Sequence, residues 1–288
     1  VLESNPREEG VALVLAGLSA LMYGAGDFCG GVAARKIPIL TVLLFSQAAG
    51  LVLAAAAALA LRQPLPGVGD LAWGALAGAC GAAGLATLYT GIATTVVAVV
   101  SPIAAVVGAA IPVLLGVATG DRPDVLAWVG IGLAVPAIAL LAGGPGISAK
   151  GGMLRRAVLL GSAAGLGFGM FFFTISRTSA GSGLWPLAFA RISTISLVLG
   201  FVLLNRREIR PGGQGFVFVI LSGALDMAAN IAFLLASRAG MLTIVAVITS
   251  LYPGPTVLLA VLFFRERMSV WRVAGLVLAL VGVALISA

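Results

Sequence analysis

Apolar runs of about twenty residues, separated by short polar, glycine-rich or proline-rich joints, recur along almost the whole 288-residue chain. A helix rising about 1.5 Å per residue needs roughly 20 apolar residues to cross a hydrocarbon core. Breaking the runs at Gly, Pro and charge clusters predicts ten spans. The first five lie at 11–33, 38–61, 70–91, 95–118 and 125–143. The next five lie at 155–176, 184–204, 214–237, 241–264 and 270–287. The third and fourth spans, like the eighth and ninth, are joined so tightly that nine spans is the alternative count. Trp73, Trp128, Trp185 and Trp271 sit near span starts, where an indole ring meets both the apolar interior and the wet interface.

Composition changes the picture in one direction only. With 61% hydrophobic and 9% charged residues and a mean hydropathy of +1.17, the chain lies far from a soluble domain, which carries roughly 25% charge. The +7 formal charge is spread over single or paired Lys and Arg between apolar runs, without a basic stripe or interleaved aromatics. That pattern belongs to loops at anionic headgroups and not to nucleic acid. The chain has no histidine, and Cys29 and Cys80 both lie inside apolar runs, so neither a protein-ligated metal nor a cofactor is expected. The first run lacks a basic start and is followed by many more spans, unlike a signal peptide. Residues 1–10 form a polar N-terminal segment that begins without Met, and the last span runs to Ser287-Ala288, which suggests trimmed ends.

Sliding the sequence along itself by 145 residues exposes a duplication. Ala12, Leu15, Leu21, Gly24 and Phe28 meet Ala157, Leu160, Leu166, Gly169 and Phe173. Further on, Arg122, Val125, Gly130, Leu133, Ala134, Ala139 and Leu140 meet Arg267, Val270, Gly275, Leu278, Ala279, Ala284 and Leu285. Asp121-Arg122 falls on Glu266-Arg267, at the joint before the last span of each half. Five spans per half is an odd number, so the second half must enter the membrane upside down relative to the first. The expected fold is therefore all-α integral membrane: ten transmembrane helices as two inverted five-helix repeats, to which the family resemblance given below adds a central cavity. Residues 11–143 form the first repeat and residues 155–287 the second. Inverted repeats are a hallmark of secondary transporters, in which exchanging the conformations of the two halves exchanges inward- and outward-open states. Gly161, Gly165 and Gly169 form a stripe at spacing four whose repeat partners are Ala16, Ala20 and Gly24, and Gly26-Gly30 and Gly74-Gly78 add further small pairs. Such stripes let helix backbones approach closely in lipid.

The joint Gly-Asp-Arg-Pro at 120–123, and Arg-Glu-Arg-Met at 265–268 leading through Val270-Trp271-Arg272-Val273-Ala274-Gly275 to Gly282-Val283-Ala284-Leu285-Ile286, resemble the EamA family of the drug/metabolite transporter superfamily. Leu187-Ala188-Phe189-Ala190-Arg191 is similar to that family's arginine-bearing helix. The resemblance covers the chain in length, span count and duplication. It implies a ten-helix basket in a plasma (inner) membrane, with a cavity lined mainly by helices 1, 3, 4, 6, 8 and 9. It also implies export of amino acids, other metabolites or drugs, aromatic amino-acid exporters being one kind. The implied partners are a small-molecule substrate and the lipid bilayer, acting as a monomer. One departure stands out: Gly108 occupies the position where the second half has Pro253.

Three ionisable residues fall inside spans: Asp27, Arg191 and Asp226. Charge within a bilayer is costly and faces the bundle interior or water, so each is a candidate for function. Asp27 shares a helix face with Tyr23, and Asp226 shares one with Asn230. Neither carboxylate is duplicated, since Asp27 aligns with Phe172 and Asp226 with Gly81. Asp27 also lies within two turns of Arg35 and Lys36, which leaves open that it only reaches the interface. Arg191 is read as a structural charge. The proposed substrate-binding set is Tyr23, Asp27, Tyr89, Phe168, Asp226, Asn230, Thr249, Ser250 and Tyr252, with Phe171 and Phe172 as further aromatics. Pro102, Gly108 and Pro112 in the fourth span, and Pro253, Gly254 and Pro255 in the ninth, are the candidate hinges, because proline removes a backbone hydrogen bond.

Two rival readings remain. Cationic drug export is the first; relatives of that kind use a membrane Glu in their first helix, a place that Asp27 could take. The second is an intramembrane aspartyl protease, because Gly24-Ala25-Gly26-Asp27 matches its Gly-x-Gly-Asp, with Asp226 as a second carboxylate. The order of the two aspartates and the lack of a Pro-Ala-Leu run count against the enzyme. Orientation is open too. Loops 1–2, 5–6, 7–8 and 9–10 hold eleven basic residues against five on the opposite side, which would put the termini outside, whereas the family resemblance implies termini in the cytoplasm.

Overall fold

The computed structural model describes residues 6–95, 97–142, 152–264 and 269–286, and every element among them is helical. The first half holds α1 (Pro6–Ala34), α2 (Ile39–Ala60), α3 (Val68–Thr94), α4 (Val97–Thr119) and α5 (Val125–Ala142). The second holds α6 (Gly152–Ser176), α7 (Trp185–Leu204), α8 (Phe216–Ala239), α9 (Leu242–Thr249), α10 (Pro253–Phe264) and α11 (Val270–Ile286). A short 3-10 turn, Ala180–Ser182, lies between α6 and α7. Eight segments are long and apolar enough to span a membrane, α9 and α10 together counting as one, while α5 and α11 are shorter apolar helices. The Glu266-Arg267 joint lies outside the described residues.

The main departure from the expected elements lies in the ninth span. Pro253 and Pro255 lack N–H groups, so the carbonyls four residues earlier lose their helical partners. The chain turns there instead: Leu251 N–H bonds Ile248 O at 3.2 Å, and Tyr252 N–H bonds Thr249 O at 3.2 Å. One helix becomes two. Pro102 and Pro112, ten residues apart, leave α4 a single helix from Val97 to Thr119, and Pro136 is likewise accommodated within α5. Isolated prolines remove one bond at a time, and neighbouring helices hold the rest.

Small residues set the packing. Along α6, a Cβ at Gly161 would meet Val100 O at 2.9 Å, one at Gly165 would meet Val107 Cβ at 2.6 Å, and one at Gly169 would meet Ile111 Cβ at 2.5 Å. The stripe is thus the seam on which α4 lies. In the other half, a Cβ at Gly24 of α1 would meet Pro255 Cβ at 2.6 Å and Thr256 N at 2.9 Å. Gly24 and Gly169 are 145 residues apart, as are Ile111 and Thr256. Gly78 presses on Ala190 of α7, and Gly223, again 145 residues on, presses on Ser46 of α2. Helix pairs follow the same rule: α1 packs on α8 as α6 does on α3, α4 packs on α6 as α9 and α10 do on α1, and α5 lies against α11.

Candidate functional site

Helices α1, α2, α3, α4, α6, α7 and α8 and the break between α9 and α10 surround a cavity of about 260 Å³. One part of its wall is aromatic: Tyr23 from α1, Tyr89 from α3, Phe168, Phe171 and Phe172 from α6, and Tyr252 from the break. The ring of Tyr23 stands edge-on to Phe172, with centroids 6.0 Å apart, and tilts against Tyr252 at 6.1 Å. Another part is built of very small residues, Gly81 from α3 and Ala104, Ala105 and Gly108 from α4. Glycine makes room for the rings, since a Cβ at Gly84 would lie 2.8 Å from the Phe168 ring. Of the three consecutive phenylalanines at the end of α6, Phe171 and Phe172 reach the cavity, whereas Phe173 lies 5.9 Å below the Arg177 guanidinium.

The charged and amide side chains of the cavity come from four helices. Arg191 of α7 is buried and forms an ion pair with Asp226 of α8, whose side chain is about one-third exposed, at 34%. Its other terminal nitrogen donates to Gln47 Oε1 of α2 at 2.6 Å. Its Nε is buried without a partner among the described residues, against the open edge of Gly50, where a Cβ would lie 3.3 Å away. Asn230 donates to the Asp226 carbonyl oxygen at 2.7 Å, one turn along α8. Asp27 differs from the other charges. It is exposed to the cavity, and no hydrogen bond or ion pair engages it among the described residues. It enters from the helix next to Asp226: a Cβ on its neighbour Gly26 would lie 3.3 Å from Asp226 N.

The expected substrate set is therefore largely gathered in one place. Tyr23, Asp27, Tyr89, Phe168, Asp226, Asn230, Ser250 and Tyr252 all line this cavity. Thr249 does not line it; it is buried, and its hydroxyl has no partner among the described residues. Of the expected hinge residues, Gly108 lines the cavity and Pro253 lines an adjoining one, Pro253 and Gly254 start α10 beside the break, and Pro255 packs on Gly24. Pro102 and Pro112 sit inside continuous α4. Arg191, expected as a structural charge, lines the cavity too. The sequence reading passed over Gln47 and Thr194. A glutamine alone in an apolar span was the available signal. The two aspartates share the cavity, but among the described residues no hydrogen bond joins them, and Asp226 is engaged by Arg191. A proton-sharing dyad needs the reverse.

The two ends of the bundle differ. At one end, four connections are tied together. Asp70 Oδ1 and Oδ2 accept from Ser179 N and Oγ, both at 2.7 Å. Gln63 accepts from Leu184 N at 2.8 Å and from the Trp185 indole at 3.1 Å. Arg238 donates to Gly183 O, Ser179 O, Ser182 Oγ and Thr178 Oγ1. Asp121 Oδ2 accepts from Thr243 N and Oγ1, both at 2.7 Å. Toward the other end, a second cavity of about 340 Å³ shares Asp27, Leu88, Phe168 and Tyr252 with the first and extends to Ser101, Thr256 and Arg272. The central cavity thus continues toward one end and is latched at the other.

A solved crystal structure superposes on this chain with a TM-score of 0.77, over 95% of each chain and at 17% identity. At that identity the likeness is one of fold. No curated protein matches the sequence. Residues 155–288 of this multi-pass membrane protein match the EamA-like transporter family, so its second half carries the family to which the chain is similar.

Proposed function

We propose that the protein is a secondary transporter exporting small metabolites, amino acids foremost, across a plasma (inner) membrane by alternating access. The observation that carries this reading is the central cavity itself: aromatic and polar, about 260 Å³, continued toward one end of the bundle and latched at the other. Two repeats, residues 11–143 and 155–287, supply it in inverted pairs. The matched packing of Gly24 and Gly169, and of Gly78 and Gly223, supports that duplication. An alternating-access carrier needs two such halves, because each end is closed by the conformation that the other half adopts in turn. Tyr23 and Phe168, 145 residues apart, both line the cavity and fit a site placed on the axis between the repeats.

Export of cationic compounds is the second reading. It rests on charge: Asp226 offsets Arg191, and the Asp27 carboxylate is left facing the cavity. A cation with an apolar body would be attracted to that carboxylate and to the aromatic rings.

Counterflow in liposomes containing the purified chain separates the two. Radiolabelled amino acids taken up above empty liposomes, with uptake lost in Tyr89→Ala, support the amino-acid reading. Movement of cationic dyes with no amino acid moved overturns it in favour of the second. No counterflow of either class counts against transport itself.

A further inference from the structure

We propose that Gln47, on α2, is a substrate-binding residue that receives the carboxylate of a zwitterionic substrate while Asp27 holds its ammonium group; the inference rests on the amino-acid reading above. Arg191 is the basic side chain that lines this cavity. Both of its terminal nitrogens already have a partner. One terminal nitrogen pairs with Asp226, the other donates to Gln47 Oε1 at 2.6 Å, and Nε is buried against α2 beside Gly50. A substrate carboxylate at the guanidinium would compete with Asp226, which already offsets that charge.

Gln47 relays that charge instead. A guanidinium only donates hydrogen bonds, so Gln47 must turn Oε1 toward it, which fixes the orientation of the amide. Nε2 then faces away from Arg191. It has no acceptor among the described residues, although Gln47 is buried, at 8% exposure, and lines the cavity. It is also absent from the buried polar atoms that lack a partner, so it is open to the cavity space. A hydrogen bond from a cation to the amide oxygen polarises the amide and strengthens its N–H groups as donors. Gln47 therefore presents two enhanced donors, and Asp27 presents an unengaged carboxylate to the same cavity. Donors at one place and an acceptor at another match an α-amino acid better than a simple amine.

The test uses phenylalanine and its decarboxylated analogue phenethylamine as probes, with the full chain in lipid nanodiscs. Gln47→Glu keeps an oxygen for Arg191 and replaces the Nε2 donors by an acceptor. Its expected effect is a loss of phenylalanine affinity of roughly tenfold or more, the scale of one hydrogen bond to a charged group. Phenethylamine binding by the same variant should be unchanged or tighter, which also reports that the variant is folded. Gln47→Met provides a second variant that lacks the donors without adding charge, and it should lose phenylalanine selectively too. Equal losses for both probes, or no loss for phenylalanine, overturn the inference and leave the transporter reading standing. Binding of phenethylamine but not phenylalanine by the unmodified protein overturns the inference in favour of cation transport. Failure of the unmodified protein to bind either probe counts against the amino-acid reading and this inference together.

Discussion

Asp70, at the start of α3, accepts both the backbone N–H and the hydroxyl of Ser179, 109 residues later, each at 2.7 Å. This pair ties the first half of the chain to the connection between α6 and α7, where Arg238 also donates four hydrogen bonds. These three residues are not duplicated: Asp70 aligns with Gly215, Ser179 with Ala34 and Arg238 with Ala93. In the transport reading proposed above, these bonds would favour closure at this end.

Weakening the latch should move that equilibrium. Removing ~1 kcal/mol of hydrogen bonding to a charged group changes a two-state ratio about fivefold. Asp70→Ala or Arg238→Ala is expected to raise thiol labelling of Ser182→Cys, a position now 1% exposed, several-fold in a background with Cys29 and Cys80 replaced. Unchanged labelling would show that the apolar packing alone holds this end.

Asp27 makes no protein hydrogen bond among the described residues, so its removal should separate function from stability. Asp27→Asn is expected to lower substrate uptake by tenfold or more, while thermal stability in detergent stays level or rises, because an exposed cavity carboxylate contributes no contact. A large fall in stability would instead mark it as structural.

Arg191 and Asp226 should behave in the opposite way. Arg191→Ala leaves a carboxylate in the cavity wall without its partner, costing about 2–4 kcal/mol, toward the lower end because Asp226 is a third exposed. The double variant Arg191→Met with Asp226→Leu should regain part of that loss, since replacing both partners removes the uncompensated charge. Melting of the two variants in detergent checks the order.

The glycine seam predicts sharp positional contrast. Gly165→Val in α6 places carbon 2.6 Å from Val107 Cβ and should cost on the order of 3 kcal/mol or block folding. Gly24→Ala faces equally close contacts from Pro255 and Tyr252 in the other half and should behave similarly. Gly17→Ala on α1 has nothing within 4 Å of the new carbon and should be neutral or slightly stabilising. Thermal unfolding of the three variants in one detergent would measure the difference.

Much was legible before any tertiary contact was known. Span positions follow from the length of apolar runs, because lipid demands a helix of fixed reach whatever its neighbours are. The break at Ser250–Tyr252 was readable from Pro253-Gly254-Pro255, since missing N–H groups act locally. The small stripe at Gly161, Gly165 and Gly169 announced a close seam, but which helix lies on it is a question of tertiary packing, and the answer is α4. The charges were visible as costly, yet their pairing was not. Arg191 meets Asp226 across 35 residues and Gln47 across 144. No periodicity records such distances; only the crossing of α2, α7 and α8 brings those groups together. Gln47 was missed for the same reason: a lone polar side chain in an apolar helix gains its meaning from the guanidinium placed beside it. The sequence by itself determined which segments form long apolar helices and where the ninth of them breaks, because those depend on backbone and solvent. Tertiary structure decided which charges are offset and which group is left facing the cavity, because a charge is offset only by what packing puts within reach.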